Sequence, residues 1–96
     1  MRESYIARNT DVAARRLGDE VVIFRPDDGE LFNLNPQAAL VWMAADGRTR
    51  LDEIVRSTVW REYDVDLERA TADAEALVAE LVEAGLMRVA AEPLED

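Results

Sequence analysis

DEVVIFRPDDGELFNLNPQAALVW, residues Asp19 to Trp42, decides the fold. Glu20–Arg25 is rich in β-branched and aromatic side chains and reads as a strand. Pro26-Asp27-Asp28-Gly29 is a turn in which Pro presets φ and Gly supplies the left-handed residue. Glu30–Leu34 then returns as the next strand. A four-residue loop sets Arg25 opposite Glu30, Phe24 opposite Leu31 and Ile23 opposite Phe32, and the opposite charges of the first pair favour that register. Val21, Ile23, Phe32 and Leu34 share one face of the ribbon, while Val22, Phe24 and Leu31 share the other. Neither face is polar. Asn35-Pro36 starts a helix with no linker, Asn as N-cap and Pro at the first helical position.

Upstream, Val12–Leu17 reads as a first strand joined to the second by the hairpin signal Gly18-Asp19. Residues 1–11 show no periodicity and are expected to be a flexible N-terminal arm. Downstream, the helix from Pro36 to Asp46 is closed by Gly47 as its C-cap residue. Thr49-x-x-Asp52 resembles a capping box that opens a second helix, with Leu51, Ile54, Val55, Thr58 and Val59 on its inner face. Asp66 caps the longest helix, Leu67 to Ala84, whose apolar stripe runs from Leu67 through Ala70, Ala74, Leu77 and Val78 to Leu81 and Val82; Gly85 stops it. Leu86–Val89 forms a short strand or an extended wing, and residues 90–96 are expected to be a flexible C-terminal tail. The order is three strands and then three helices. That is an α+β fold, winged helix-turn-helix-like, in which a three-stranded antiparallel β-meander precedes a three-helix bundle, as one domain over residues 12–89.

Composition narrows the function. The chain has 96 residues, enough for one small core, and 49% of them are hydrophobic, which excludes a disordered chain. No run approaches the ~20 apolar residues of a membrane helix, and the start lacks an apolar signal region, so a cytoplasmic protein is expected. Asp and Glu number 21 against 11 basic residues, all Arg, for a net charge of −10. Such a charge repels nucleic acid and anionic membranes.

Most chemistry is missing. With no His and no Cys, Ser-His-Asp and Cys-His catalysis and thiolate metal sites are excluded. With no Lys there is neither a Schiff base nor a P-loop. Asp19, Asp27 and Asp28 occupy turns, and Asp27-Asp28-Gly29-Glu30 lacks the alternating ligands of a Ca²⁺ loop. The expectation is a non-enzyme without cofactor or metal. The winged-helix outline raises a transcriptional regulator, or a protein-interaction adaptor, as the alternative. A recognition helix presents Arg, Lys, Asn or Gln to DNA. The longest helix instead carries Glu68, Asp73, Glu75, Glu80 and Glu83 against Arg69 alone, and carboxylates facing phosphates lose affinity. An acyl-carrier role lacks the Asp-Ser-Leu attachment sequence.

The strand Glu30–Leu34 sits where it forms a sheet edge beside helices, and an edge is a template for pairing another chain. Further residues then carry a resemblance. Gly18-Asp19-Glu20, Gly29, Leu34-Asn35, Ala38-Ala39, Trp42 and Asp46-Gly47, followed by Ile54, Tyr63-Asp64-Val65, Ala72-Asp73, Leu81 and Gly85-Leu86, resemble the PqqD family over roughly residues 12–89. The most specific part is the string Leu34-Asn35, Trp42 and Asp46-Gly47, in its order and spacing.

The resemblance implies a leader-recognition domain, a non-catalytic peptide chaperone of ribosomally made natural products, as in pyrroloquinoline quinone and lasso-peptide pathways. It implies that the leader of a precursor peptide adds as a strand beside the third strand and lies against the third helix. It further implies delivery of the precursor to a modifying enzyme, such as a radical SAM enzyme, a leader protease or a cyclase. The peptide-binding residues expected on this basis are Phe24, Glu30, Leu31, Phe32, Asn33 and Leu34 on the sheet. On the helix they are Arg69, Ala70, Asp73, Ala74 and Leu77, the alanines leaving room for the incoming strand. Trp42 is read as core; Trp60 caps the core or meets a partner enzyme.

Overall fold

The structure, a computed structural model, describes residues 1–94. The strands form two three-stranded antiparallel sheets, which pack with the helices around one core. The sequence-expected meander is present: β2 (Ala13–Leu17), β3 (Glu20–Arg25) and β4 (Glu30–Leu34) pair in that order. The register is the expected one, with Arg25 opposite Glu30, Phe24 opposite Leu31 and Ile23 opposite Phe32. Val21, Ile23 and Leu34 are buried and Phe32 packs against the core from its edge, so this is the face laid on the helices. Phe24 and Leu31 remain 41% and 61% exposed on the outer face.

The N-terminal segment corrects an expectation. Residues 1–11 are not an arm: β1 (Tyr5–Arg8) is the central strand of the second sheet, between β5 (Asp46–Arg50) and β6 (Met87–Ala90). Ile6 is completely buried and Ala7 nearly so. Two consecutive buried residues reflect a strand covered on both faces, and such a strand shows no alternation in its sequence. Of the two forms expected for Leu86–Val89, the short strand is the one present, one residue later as β6, and it pairs with β1 from Arg8 opposite Met87 to Tyr5 opposite Ala90.

α1 spans Pro36–Ala44, and the Asn35 side chain accepts from the Ala38 amide at 2.9 Å as its N-cap. Its C-cap is Ala45, not Gly47. Arg8 Nη1 donates to the carbonyls of Trp42 and Met43 at 2.9 and 2.7 Å, capping the helix from the neighbouring sheet. Gly47 lies within β5 at φ +80°, and a Cβ there would meet the Leu94 carbonyl oxygen at 2.7 Å. The Leu94 amide donates to the Gly47 carbonyl, so the expected C-terminal tail is held at that point; residues 95–96 lie outside the described residues.

The expected capping box is also absent. Thr49 belongs to β5 and its hydroxyl turns back to Asp46, so α2 (Leu51–Ser57) begins after Arg50 with no side-chain cap. A break at Thr58 separates α2 from α3 (Val59–Glu62). α4 runs from Leu67 to Glu83, capped by Asp66, whose Oδ2 accepts from the Arg69 amide at 3.0 Å. Gly85 at φ +79° ends it, with the Leu86 amide returning to the Leu81 carbonyl. Trp42 joins Leu51, Ile54, Val55 and Val78 in the core, as expected.

Candidate functional site

A groove of about 320 Å³ runs along one side of α4. α4 supplies Arg69, Ala70, Asp73, Ala74 and Leu77 to it, all five helix residues singled out in the sequence. Val41 of α1, Val59 of α3 and Val65 of the α3–α4 loop line it from the other side, with Asn35 and Gln37 at the β4–α1 junction. The side chains follow from α4's register. Capping by Asp66 fixes where the helix starts, and spacings of three and four then line up Ala70, Ala74 and Leu77 on one face. Ala70 and Ala74 are nearly buried yet reach only to their β-carbons, and that short reach opens the groove.

β4 is an edge strand, paired only with β3 among the described residues. The Glu30 amide already donates to Asp28 Oδ1 at 3.1 Å, which confines the amides open to a new strand to the segment Leu31–Leu34. Arg25 ties the turn end of this strand to the helix. Its Nη2 meets Asp28 and Glu30 at 2.6 and 2.8 Å, its Nη1 donates to the Ala84 carbonyl at 2.7 Å, and its guanidinium lies 5.0 Å from the Phe32 ring centre. The hydrogen bond from Arg25, reinforced by the Glu30 amide, lowers the Asp28 carboxyl to about 2. The other end of β4 leads into Asn35, which shares the groove with Arg69 and Ala70 near the start of α4. β4 and α4 therefore run antiparallel, the strand's start at the helix's end.

The remaining expected residues divide by face. Phe32 and Leu34 point inward, Asn33 is exposed on the edge strand, and Phe24 and Leu31 form an outer apolar row; none of the six expected sheet residues lines the groove. Sequence reading missed Asn35, Gln37, Val41, Val59 and Val65 as groove residues. Asn35 and Pro36 were assigned to helix initiation, and no local pattern says that a helix start also borders a cleft. It also missed Arg25's bond to Ala84, which joins residues far apart in the chain.

The far side of α4 is held by the N-terminus. Arg2 donates from Nη1 to Glu68 and from Nη2 to Glu75, both at 2.9 Å, and its amide donates to Glu75 at 3.0 Å. The Arg2 guanidinium holds the Glu75 carboxyl below its usual range, and the two carboxylates raise Arg2 in turn. Asp46 is also lowered, chiefly by the Arg48 amide. Among the described residues no group of three or more acidic side chains is arranged to hold a metal ion, and no helix is long and apolar enough to cross a membrane.

These features define a winged-helix α+β domain with one open sheet edge beside a helix-walled groove. The family model described as coenzyme PQQ synthesis protein D (PqqD) matches residues 20–87, and the chain belongs to this family. Among solved structures, one described as TbiB1 in complex with the TbiA(beta) leader peptide is similar in fold. The TM-score is 0.76 at 24% identity, covering 94% of this chain and 99% of that one. No curated protein sequence matches the chain.

Proposed function

We propose that this chain binds the leader of a ribosomally made precursor peptide as an added strand beside β4 and presents it to a modifying enzyme. The observation that carries the reading is the open edge of β4 running antiparallel to α4 with a groove between helices at its end. Backbone pairing along Leu31–Leu34 holds a leader in register with little demand on its sequence, and side chains in the groove supply selectivity. Family membership and the fold shared with TbiB1, a protein solved with a leader peptide bound, support it. Ordering a flexible leader costs about 2–5 kcal/mol, so apolar anchors against Ala70, Ala74 and Leu77 are needed to offset it.

The competing edge of this sheet is β2, which carries Arg15 and Arg16 next to each other; charged residues of this kind discourage strand pairing. β4 has no basic residue. The chain performs no chemistry itself in this reading. It serves, in the cytoplasm, a radical SAM enzyme, a leader protease or a cyclase, in pathways of the pyrroloquinoline quinone or lasso-peptide kind.

Titration of the ¹⁵N-labelled chain with the leader peptides encoded beside its gene tests this. Amide shifts and new exchange protection are expected within residues 31–34, with shifts along residues 69–77. A leader that is modified in the presence of this chain but leaves both segments unmoved overturns it.

A further inference from the structure

Along the groove side of α4, Arg69, Asp73 and Leu77 follow one another at intervals of four residues, and all three line the groove. Successive members of such a row stand about 6 Å apart along a helix axis. Side chains on one face of an extended strand recur every ~6.7 Å. Over three positions a strand laid along α4 therefore stays in phase with this row, meeting first a cation, then an anion, then an apolar side chain.

Both charges are open to a ligand. Neither Arg69 nor Asp73 makes an ion pair among the described residues, although nearby charges are engaged: Glu68 and Glu75 by Arg2, and Glu30 by Arg25. Arg N-terminal to Asp at this spacing is the less favourable order for a pair within a helix, so the two do not satisfy each other. They lie in one wall of the groove beside Ala70 and Ala74, where a docked strand has room to approach.

Direction follows from the chain's own geometry. β4 runs antiparallel to α4, so a strand added antiparallel to β4, the slightly more stable mode, runs parallel to α4. We infer that the groove reads charge order. The favoured leader carries acidic-x-basic-x-apolar from its N- to its C-terminal side, the acidic residue at Arg69, the basic one at Asp73 and the apolar one at Leu77. The inference rests on strand addition at β4 and assigns the sequence class that addition selects.

The probes are end-blocked nine-residue peptides of Thr and Val whose three alternate central positions are Glu-x-Lys-x-Leu, Lys-x-Glu-x-Leu or Gln-x-Gln-x-Leu. Affinities are read from ¹⁵N amide shifts of the full chain, for the natural protein, for the charge-swapped variant Arg69→Asp with Asp73→Arg, and for the neutral variant Arg69→Gln with Asp73→Asn. The natural protein should prefer the Glu-x-Lys peptide over the reversed one by about fivefold, the scale of two exposed ion pairs against two repulsions. The swapped variant should reverse the preference, the neutral variant should abolish it, and raised salt should shrink it. Equal affinity for all three peptides, with residues 31–34 still shifting, overturns the charge order and leaves strand addition standing. No shift at residues 31–34 with any peptide overturns strand addition and the charge order with it.

Discussion

Arg25 donates to the Ala84 carbonyl at 2.7 Å, joining the β3–β4 turn to the last turn of α4. The same guanidinium holds Asp28 and Glu30. It therefore holds the turn end of the proposed docking strand to the end of α4, two helical turns beyond the groove, and it adds a cation at a helix C-terminus, where the exposed carbonyls favour one.

Replacing it should loosen the turn end of β4 from α4. Arg25→Met keeps the apolar stem over Phe32 and removes every charged contact. The thermal midpoint should fall by a few degrees, and leader affinity should fall by a larger factor than Asp28→Asn produces. Calorimetry on both variants, beside leader titrations, checks the pair. Equal affinity loss in the two would show that the bond to Ala84 does not position the docking strand.

Ala74 tests the groove directly. Its β-carbon is part of the groove wall, and a larger side chain must either fill the cleft or press on the core. In Ala74→Leu, a leucine that fills the cleft excludes the leader's apolar anchors, and losing about 1.4 kcal/mol of their contacts should weaken leader binding on the order of tenfold. Ala79→Leu, on the exposed side of the same helix, should leave binding unchanged. Fluorescence anisotropy with a labelled leader reads both.

Ile6 carries the clearest stability prediction. Its side chain is completely buried in the central strand of the second sheet. Ile6→Ala should lower unfolding free energy by about 2–5 kcal/mol, a large share of a small domain's total. Urea unfolding would show this as a reduced midpoint at unchanged slope. An unchanged midpoint would mean that β1 does not contribute to the fold.

Acid should weaken the hairpin in a defined window. Asp28 lies at about 2 in the folded chain against an ordinary 3.8, because Arg25 and the Glu30 amide stabilise its ionised form. A folded value below the unfolded one gives stability that is fully present above about pH 4 and lost as pH falls towards 2. Glu75, lowered by Arg2, acts in the same direction. The chain's net charge of −10 also changes with pH, so the informative quantity is the difference between variant and natural protein. Thermal midpoints of Asp28→Asn and the natural chain should differ above pH 4 and converge near pH 2.

Much of the architecture was legible because its signals are local. Opposite charges on Arg25 and Glu30 across a Pro-Asp-Asp-Gly turn fix a register from adjacent residues alone, and the structure has that register. Asn35 and Asp66 cap the helices they were expected to cap. The second sheet was not legible, since its strands come from three distant parts of the chain. Tyr5–Arg8 has no alternation, and Asp46–Arg50 has no large apolar side chain at all. Thr49 fits a capping box as a sequence, but the Leu51 and Asp52 amides it would cap donate instead to the Ser4 and Arg2 carbonyls. The helix side of the groove was legible by resemblance to a family. The opposing wall of Asn35, Val59 and Val65 exists only once three segments are packed together.

The pairing of Tyr5 with Ala90 bears on when the second sheet can close during synthesis. A ribosome releases the hairpin and the first helices early, and these form from neighbouring residues. The second sheet, however, waits until residues 87–90 emerge, because β1 lacks its β6 partner before then. Contacts closed over such a span are slow to form, and unfinished sheets expose strands to wrong partners. The nascent chain thus presents a ready-made strand edge at β4 before its opposite end is locked. For a protein whose proposed task is to accept a strand, a chaperone or an early-arriving ligand at that edge bears on the yield of correctly finished molecules.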